Sequence, residues 1–363
     1  MTRAAFWNKK KVLVTGHTGF KGGWLSTWLL DLGADVVGYA LEPDSEPCFF
    51  TLCGLSQRME SVFGDVRSKE GVQRIVDIHN PEIVFHLAAQ PLVRYSYNEP
   101  VDTFATNVMG TVHLLEAVRQ SPSVHAAIIV TSDKCYENKE WIWGYREEER
   151  IGGRDPYSAS KACAELVTAS YRRSWFENPG FNVGIATVRA GNVIGGGDWG
   201  RDRLVPDAVR AFRSDQPLIV RNPASVRPWQ HVLEPLAGYL MLAEKLYQEE
   251  KEWSGAWNFG PGDESVVTVA SLCDLIISNW HQGRWQPSPP QEDFHEASFL
   301  LLDSSKARRM LGWRPCLSLE EAVNMTVEWY CQALSNGQRK QMYGVTCDQI
   351  RSYEKRWKEV TWR

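Results

Sequence analysis

The stretch that decides the fold lies near the start of the chain, where VLVT at residues 12–15 runs directly into GHTGFKG at residues 16–22. The apolar run indicates a strand, and the spaced glycines after it indicate a tight turn that leads into a helix. Glycines at such a junction let the backbone approach a pyrophosphate, and the helix N-terminus favours its negative charge. The spacing G-x-x-G-x-x-G differs from the usual G-x-G-x-x-G, so the position of the motif at the first strand-to-helix junction carries the prediction of a dinucleotide site.

Beyond this turn, the first half of the chain alternates short apolar runs with helical stretches. Strands separated by helices of this length predict an α/β fold with a Rossmann-type, doubly wound parallel sheet that has helices on both faces. The predicted elements are Lys11–Thr15, Gly22–Leu32, Asp35–Ala40, Glu82–Leu87, Val101–Gln120, Ala126–Ser132, Tyr157–Trp175 and Val183–Arg189.

The pattern changes after Arg189, where GGGD at residues 195–198 and a region punctuated by Pro and Arg follow. Such a change suggests a smaller, loop-rich lobe that caps the sheet. We therefore expect a cofactor-binding domain over residues 1–190 and a smaller C-terminal substrate-binding lobe over residues 191–363. The segment at about 230–260 is a candidate for returning to the sheet.

Composition excludes several classes of protein. The 363 residues carry a net charge of -4, which gives no general attraction to nucleic acid or to anionic membranes. The eight cysteines form no C-x-x-C pair, so neither a zinc knuckle nor a dithiol motif is predicted, and no metal is expected. The apolar run near the N-terminus is too short for a secretory or membrane segment, and we expect a cytoplasmic location.

The glycine turn and the strand ends beside it predict a nicotinamide cofactor. The second strand ends at Ala40-Leu41 without the acidic residue that binds ribose in many NAD sites, but no Arg at residues 38–42 offers itself to a 2′-phosphate, so NAD is preferred. Asp65 follows a third strand and either supplies a carboxylate near the adenine or belongs to a solvated turn. The predicted cofactor contacts in these segments are Gly16, His17, Thr18, Gly19, Phe20, Gly22, Asp65, Val66, Leu87, Ala88 and Ala89.

Tyr157 and Lys161 are four residues apart on a predicted helix that begins at about Pro156, so they share one face. The pKa of a free tyrosine is about 10, and a neighbouring ammonium group favours the phenolate that a base requires. Ser132 ends the fifth predicted strand, where its hydroxyl can bond a substrate oxygen. The alternative is a surface tyrosine lying over an aliphatic lysine stem.

These motifs resemble, in order and approximate spacing, the extended short-chain dehydrogenase/reductase family, in its nucleotide-sugar epimerase and dehydratase branch. The resemblance covers most of the chain. Its further elements are Asn107 in TNVMGT and the LGWRP run at residues 311–315. It implies that Tyr157, Lys161 and Asn107 also lie at the NAD site, and that the protein is a homodimer or higher homo-oligomer through the helices at residues 101–120 and 157–175.

Within that family, Asp133-Lys134 after Ser132 resembles the 4,6-dehydratases, which need a second acid/base pair, rather than simple epimerases. Related dehydratases usually carry Asp-Glu here, whereas Asp-Lys is similar to the branch that acts on CDP-glucose. The resemblance implies that Lys134 is the base at C5 and Asp133 is the acid for the departing C6 hydroxyl. Two alternatives are a structural Asp–Lys ion pair and a charged Lys134 that stabilises the enolate.

The substrate implied by the resemblance is CDP-glucose or a similar nucleotide sugar, in a route of deoxysugar synthesis such as that of lipopolysaccharide O-antigen. The matching stretches imply nucleotide and phosphate contacts from Asn192, Arg203, Arg227, His295 and Glu296. Guanidinium groups suit phosphate geometry, although each arginine taken alone is more typical of a solvated surface. Alternatives are another 4,6-dehydratase, a nucleotide-sugar 4-epimerase, or a nucleotide-sensing regulatory protein without activity.

Overall fold

A parallel sheet of seven strands lies at the centre of the computed structural model, which describes residues 4–289, 297, 299–335 and 342–361. Its strands are β1 (Lys11–Thr15), β2 (Asp35–Ala40), β3 (Glu60–Phe63), β4 (Ile83–His86), β5 (Ala126–Val130), β6 (Gly184–Arg189) and β11 (Gly255–Asn258). They are ordered β11-β6-β5-β4-β1-β2-β3. The order from β3 to β6 is that of a doubly wound dinucleotide-binding sheet, and the predicted fold class is confirmed.

Helices cover both faces of this sheet, because its strands are apolar on both sides. Every residue of β5 and β6 is buried. Alternate side chains of β1 enter different clusters: Val12 and Val14 pack with the tryptophan-rich cluster, and Leu13 packs with the cluster on the other face. The helices around the sheet are α1 (Ala4–Trp7), α2 (Phe20–Asp31), α3 (Phe49–Leu52), α4 (Lys69–His79), α5 (Val93–Asn98), α6 (Pro100–Phe104), α7 (Gly110–Gln120), α8 (Pro156–Tyr171) and α10 (Leu233–Gln248).

The segment that follows β6 forms small two-stranded sheets, and the chain also returns to the central sheet at β11. The paired strands are β7 (Val193–Ile194) with β10 (Gln230–His231), β9 (Val226–Pro228) with β12 (Val266–Thr268), and β8 (Leu218–Val220) with β13 (Trp285–Pro287). The remaining helices are α9 (Leu204–Arg213), α11 (Val269–Trp280), α12 (Leu319–Leu334) and α13 (Met342–Thr361). Strand β11 pairs with β6 from Gly255 opposite Ala186 to Asn258 opposite Arg189. The division into two units at residue 190 stays a prediction.

The two long predicted helices each contain a π-helical turn. Val101–Gln120 was expected as one helix, but α6 begins at Pro100 and Ala105–Met109 forms a π turn before α7. The second helix starts at Pro156, with the Asp155 carboxylate as its N-cap, and passes at Tyr171 into the π turn Arg172–Phe176. Apolar periodicity does not distinguish such a widened turn from the α-helix around it.

Strand β5 ends two residues earlier than the predicted Ser132. The reason is local, because the Ser132 hydroxyl accepts a hydrogen bond from the Lys134 amide at 3.2 Å and caps a 3₁₀ turn over Asp133–Cys135. None of the helices within the described ranges is long and apolar enough to span a bilayer. The expected cytoplasmic location stays a prediction.

Candidate active site

A cleft of about 1670 Å³ opens at the carboxyl ends of the central strands. One end is lined by the glycine turn and the ends of β2, β3 and β4, and the other end is lined by residues that follow β6. Ligands of doubly wound sheets bind at this edge, because the loops after the parallel strands meet there. Of the predicted site residues, the cleft brings together Gly16, Thr18, Gly19, Phe20, Gly22, Asp65, Val66, Leu87, Ala88, Ala89, Ser132, Asp133, Lys134, Tyr157, Lys161, Asn192, Arg203 and Arg227.

The glycine turn fits a pyrophosphate. Gly16 has a φ of 75°, and a Cβ there would lie 2.6 Å from the backbone nitrogen of Ala88. A Cβ on Gly22 would lie 2.1 Å from the carbonyl oxygen of Gly16. The N-cap of α2 is Gly19, which makes no side-chain hydrogen bond, so the first amides of this helix lack a side-chain cap and suit an anion.

The His17 side chain lies outside the cleft, although His17 was predicted as a cofactor contact. Its ring is buried against β2, where a Cβ on Gly38 would come within 2.2 Å of it, and its Nε2 lies 2.5 Å from Ser61 Oγ. Burial lowers the pKa of His17 to about 4, so the ring is neutral at physiological pH. The side chain fills the space between the turn and the sheet.

Asn107 also lies outside the residues that line the cleft. Its side chain accepts a hydrogen bond from the Gln90 amide at 2.8 Å and donates to the Gln90 carbonyl at 3.0 Å and to Ser160 Oγ at 2.8 Å. It therefore ties the loop after β4 to the helix that carries Tyr157. The structure gives its side chain a supporting position, and its contact with the cofactor stays a prediction.

At the end of the cleft beyond β2 and β3, Asp65 is held by Arg67. The guanidinium Nε lies 2.8 Å from Asp65 Oδ2, and this hydrogen bond holds the pKa of Asp65 below its usual range. Asp44 also lines this end of the cleft. Neither Arg67 nor Asp44 was singled out in the sequence, because both follow the strand ends at irregular distances.

Tyr157 and Lys161 face the end of β5 from the first turns of α8. The Asp155 carboxylate fixes the start of this helix by accepting a hydrogen bond from the Ser158 amide at 2.9 Å. Lys161 Nζ donates to the Val130 carbonyl at 3.1 Å, and burial, together with the positive charge of Lys21, lowers the pKa of Lys161 to about 8. Burial raises the pKa of Tyr157, whereas the Lys134 ammonium and a hydrogen bond with Ser132 lower it.

The turn after β5 presents Ser132, Asp133 and Lys134 to the same space. The Ser132 hydroxyl donates to Asp133 Oδ1 at 3.0 Å. Lys134 Nζ lies 3.8 Å from that oxygen, which is too long for a hydrogen bond, so the structure does not show a tight Asp–Lys ion pair. Asp133 is 1% exposed, and its Oδ2 has no hydrogen-bond partner among the described residues.

A buried ion pair behind the site was missed in the sequence. Glu165 accepts hydrogen bonds from Thr131 Oγ1 at 2.5 Å, from Thr187 Oγ1 at 2.6 Å, and from Arg189 Nε and Nη2 at 2.8 Å each. It thereby joins α8 to the ends of β5 and β6. The available signal was its position four residues after Lys161, on the same helical face.

Lys21 is a second residue that was missed. It lies within the glycine turn and lines the cleft, at the end of α2 where the helix dipole disfavours a cation. Burial lowers the pKa of Lys21 to about 8, and the charge of Asp133 opposes this shift. A lysine at the positive end of a helix was the signal in the sequence.

The segment that follows β6 contributes Asn192, Arg203 and Arg227 to the lining of the cleft. Arg203 Nη1 lies 2.9 Å from both carboxylate oxygens of Asp198, and Arg227 donates to the carbonyls of Val226 and Ala297. His295 and Glu296, which were predicted as nucleotide contacts, lie outside the described residues. No group of metal-ligating side chains occurs within the described part of the chain.

The comparisons with known proteins agree with this geometry. The model of the family described as GDP-mannose 4,6 dehydratase matches residues 13–326. CDP-glucose 4,6-dehydratase from Salmonella typhimurium is 52% identical over 90% of this chain and 91% of its own. Among solved structures, UDP-glucose 4-epimerase from Thermotoga maritima with UDP-glucose has a TM-score of 0.77 at 25% identity, over 89% of this chain and 99% of its own. The dTDP-glucose 4,6-dehydratase from Streptomyces venezuelae with NAD bound has a TM-score of 0.73 at 24% identity, over 88% and 96%.

Proposed function

The chain belongs to the GDP-mannose 4,6-dehydratase family, and from this premise we propose that it converts CDP-glucose to CDP-4-keto-6-deoxyglucose as an NAD-dependent hydro-lyase. The family predicted from the sequence is confirmed, and with it the enzymatic function. One observation carries the proposal. The relative that matches at 52% identity along nine-tenths of the chain is a CDP-glucose 4,6-dehydratase, and the cleft of this chain holds Asp133-Lys134 beside Tyr157.

NAD is the cofactor, since solved relatives of this fold contain it and the glycine turn fits its pyrophosphate. When bound, NAD accepts a hydride from C4 of the sugar and returns it to C6 later in the same turnover. The protein's own part is to hold the cofactor against the small residues Ala88 and Ala89 and to move the protons.

Tyr157 takes the proton of the C4 hydroxyl. Its pKa must fall for this role, because burial alone favours the protonated phenol. Lys134 and the hydrogen bond with Ser132 act in the required direction, and Lys161 adds a positive charge to the same site when it is protonated. The 4-ketone that forms makes the C5 proton acidic.

Lys134 then removes the proton from C5, and Asp133 protonates the C6 hydroxyl as it leaves as water. Their 3.8 Å separation supports two separate roles rather than a closed ion pair. In the alternative role, Lys134 remains charged and stabilises the enolate. Lys134 returns a proton to C5 after the hydride reaches C6.

Asn192, Arg203 and Arg227 hold the nucleoside diphosphate in this proposal. Arg203 and Arg227 provide positive charge on the side of the cleft that is formed by the segment after β6. Their guanidinium groups match phosphate geometry, and their present partners are one carboxylate and backbone carbonyls. His295 and Glu296 stay predicted contacts.

The test is to incubate the purified protein with CDP-, UDP-, dTDP- and GDP-hexoses and to detect a ketone product lighter by one water. We expect turnover of CDP-glucose and incorporation of solvent deuterium at C5 in heavy water. A 4-epimerase would give a product of unchanged mass without deuterium at C5. A regulatory protein would give no turnover with any sugar, and loss of turnover in Tyr157→Phe would exclude it.

We also propose that the protein forms a homodimer through α6 to α8. Val101 and Leu166 are 81% and 60% exposed, and Phe104 and Met109 are exposed apolar residues on the same pair of helices. Exposed apolar side chains on neighbouring helices support an interface between two copies of the chain.

A further inference from the structure

Gly191 lies two residues after the end of β6 and lines the cleft. It is not among the glycines with a left-handed φ, so its backbone conformation is open to other residues. The restriction at this position is spatial. A Cβ on Gly191 would lie 2.5 Å from Asp133 Oδ2 and 3.1 Å from Asp133 Cγ, both shorter than an ordinary van der Waals contact.

Of the two carboxylate oxygens of Asp133, the one near Gly191 is Oδ2, and this oxygen has no hydrogen-bond partner among the described residues. The other oxygen accepts the Ser132 hydroxyl at 3.0 Å, whereas Oδ2 is buried. Burying a carboxylate oxygen without a partner is costly, so such an arrangement is retained where the oxygen has another use.

We propose that Gly191 is a positioning residue for the elimination step: by having no side chain, it leaves the space in which Asp133 Oδ2 meets the departing C6 hydroxyl. This inference rests on the proposed function. The O–H bond of Asp133 breaks and its proton goes to the C6 oxygen, while the C6–O bond breaks and water leaves. The electron pair of the C5–H bond, whose proton goes to Lys134, becomes the C5–C6 double bond.

A methyl group at residue 191 would displace the Asp133 carboxyl. The same methyl group would be in ordinary van der Waals contact with the Pro228 ring, whose Cγ would lie 3.6 Å away. A shift of about 1 Å in a reacting group costs on the order of a hundredfold in rate. Oxidation at C4 depends on Tyr157 rather than on Asp133, so the two half-reactions should respond differently.

The test is Gly191→Ala, measured by stopped-flow absorbance of the reduced nicotinamide and by product formation. We expect elimination to slow by about tenfold or more, so that the reduced cofactor accumulates during turnover, with C4 oxidation changed by less than about twofold. The matched control is Gly344→Ala in α13, where a Cβ would meet no atom within 4 Å. An unchanged elimination rate in Gly191→Ala, or a change in KM alone, would overturn the proposal.

A double-mutant cycle separates this proposal from the proposed function. In an Asp133→Ala background, the carboxyl is absent and Gly191→Ala should slow elimination by less than about twofold. An equal loss in both backgrounds would show that residue 191 acts on something other than Asp133. If Asp133→Ala alone eliminates water at the wild-type rate, the assignment of the acid fails instead. Should Gly191→Ala fold poorly, recovery of folding in the double variant supports the contact, and no recovery refutes it.

Discussion

At the scale of single residues, Lys134 has two demands placed on it. Its ammonium lowers the pKa of Tyr157, which favours the first step, but a base at C5 must be neutral. The 3.8 Å gap to Asp133 leaves Lys134 outside hydrogen-bond range of that carboxyl, and about a third of its side chain is exposed. Lys134 is therefore not held in a closed, buried ion pair with Asp133.

Lys134→Ala should slow C4 oxidation to some extent, because Tyr157 loses the ammonium that lowers its pKa, and should slow elimination more, by on the order of a hundredfold, the usual contribution of one general base. The reduced nicotinamide should then accumulate, and little keto-deoxysugar should form. Stopped-flow absorbance and mass analysis of the product measure the two steps. Lys251→Ala, an exposed lysine outside the cleft, is the control. Wild-type elimination in Lys134→Ala would remove this residue from the mechanism.

The site residues that could be predicted from the sequence are those whose positions follow from the repeat of a single helix or strand. Tyr157 and Lys161 were predictable, because the helical repeat alone brings residues four apart to one face. Gly191 was not, since the need for glycine comes from a carboxyl 58 positions earlier in the chain. His17 was predicted as a cofactor contact from its place in the glycine turn, but its ring is buried against Gly38 of β2. A sequence pattern gives the position of a residue along a helix or strand. In turns and loops, the direction of a side chain is decided by its packing against the rest of the molecule.

At the scale of elements, α13 docks on the rest of the molecule through a buried carboxyl of α10. Glu234 Oε1 accepts hydrogen bonds from the amides of Cys316 at 2.8 Å and Leu317 at 2.7 Å, and Oε2 accepts the Tyr353 hydroxyl at 2.7 Å. The role of this C-terminal tail was not predictable, since charged and aromatic residues along it gave no indication of their partners. The contact ties α10, the segment before α12, and α13 together.

Glu234 should make stability depend on pH. Burial raises its pKa to about 7 from 4.5, although its hydrogen bonds act in the opposite direction. The folded state therefore binds a proton more tightly than the unfolded state does. The stabilisation that this carboxyl contributes is fully present below about pH 4.5 and is lost as the pH rises through about 7, by roughly 3 kcal/mol.

Glu234→Gln should remove that dependence, because an amide does not titrate. Its oxygen can accept from the amides of Cys316 and Leu317, and its NH2 group can donate to the Tyr353 hydroxyl, which reverses that bond. Urea unfolding of both proteins at a series of pH values measures the difference in free energy of unfolding. We expect the variant to gain stability relative to the wild type as the pH rises between about 4.5 and 7. Glu320→Gln, an exposed carboxyl at the start of α12, should show no such trend. A constant difference for Glu234→Gln would contradict the burial argument.

At the scale of the whole molecule, the alternation of strands and helices predicted the parallel sheet, but it did not predict which apolar side chains remain exposed. The apolar periodicity of residues 101–120 predicted a helix without showing that Val101 and Met109 would remain exposed. Leu166 lies on α8, five residues after Lys161, so the exposed apolar residues and the candidate active site share one helix. An interface there would stabilise the helix that positions Tyr157.

Leu166→Asp should convert the proposed dimer to monomers, because a charge at the centre of an apolar contact is desolvated without a partner. Light scattering after gel filtration measures the mass. Ile142→Asp is the matched control, since Ile142 is 77% exposed but lies in the loop between β5 and α8 and not on the helices themselves. If the wild type is a monomer, or if both variants keep the same mass as the wild type, this face is not the interface. If the dimer contact stabilises α8, the turnover rate of Leu166→Asp should fall together with the mass measured by light scattering. Ile142→Asp should keep the turnover rate and the mass of the wild type.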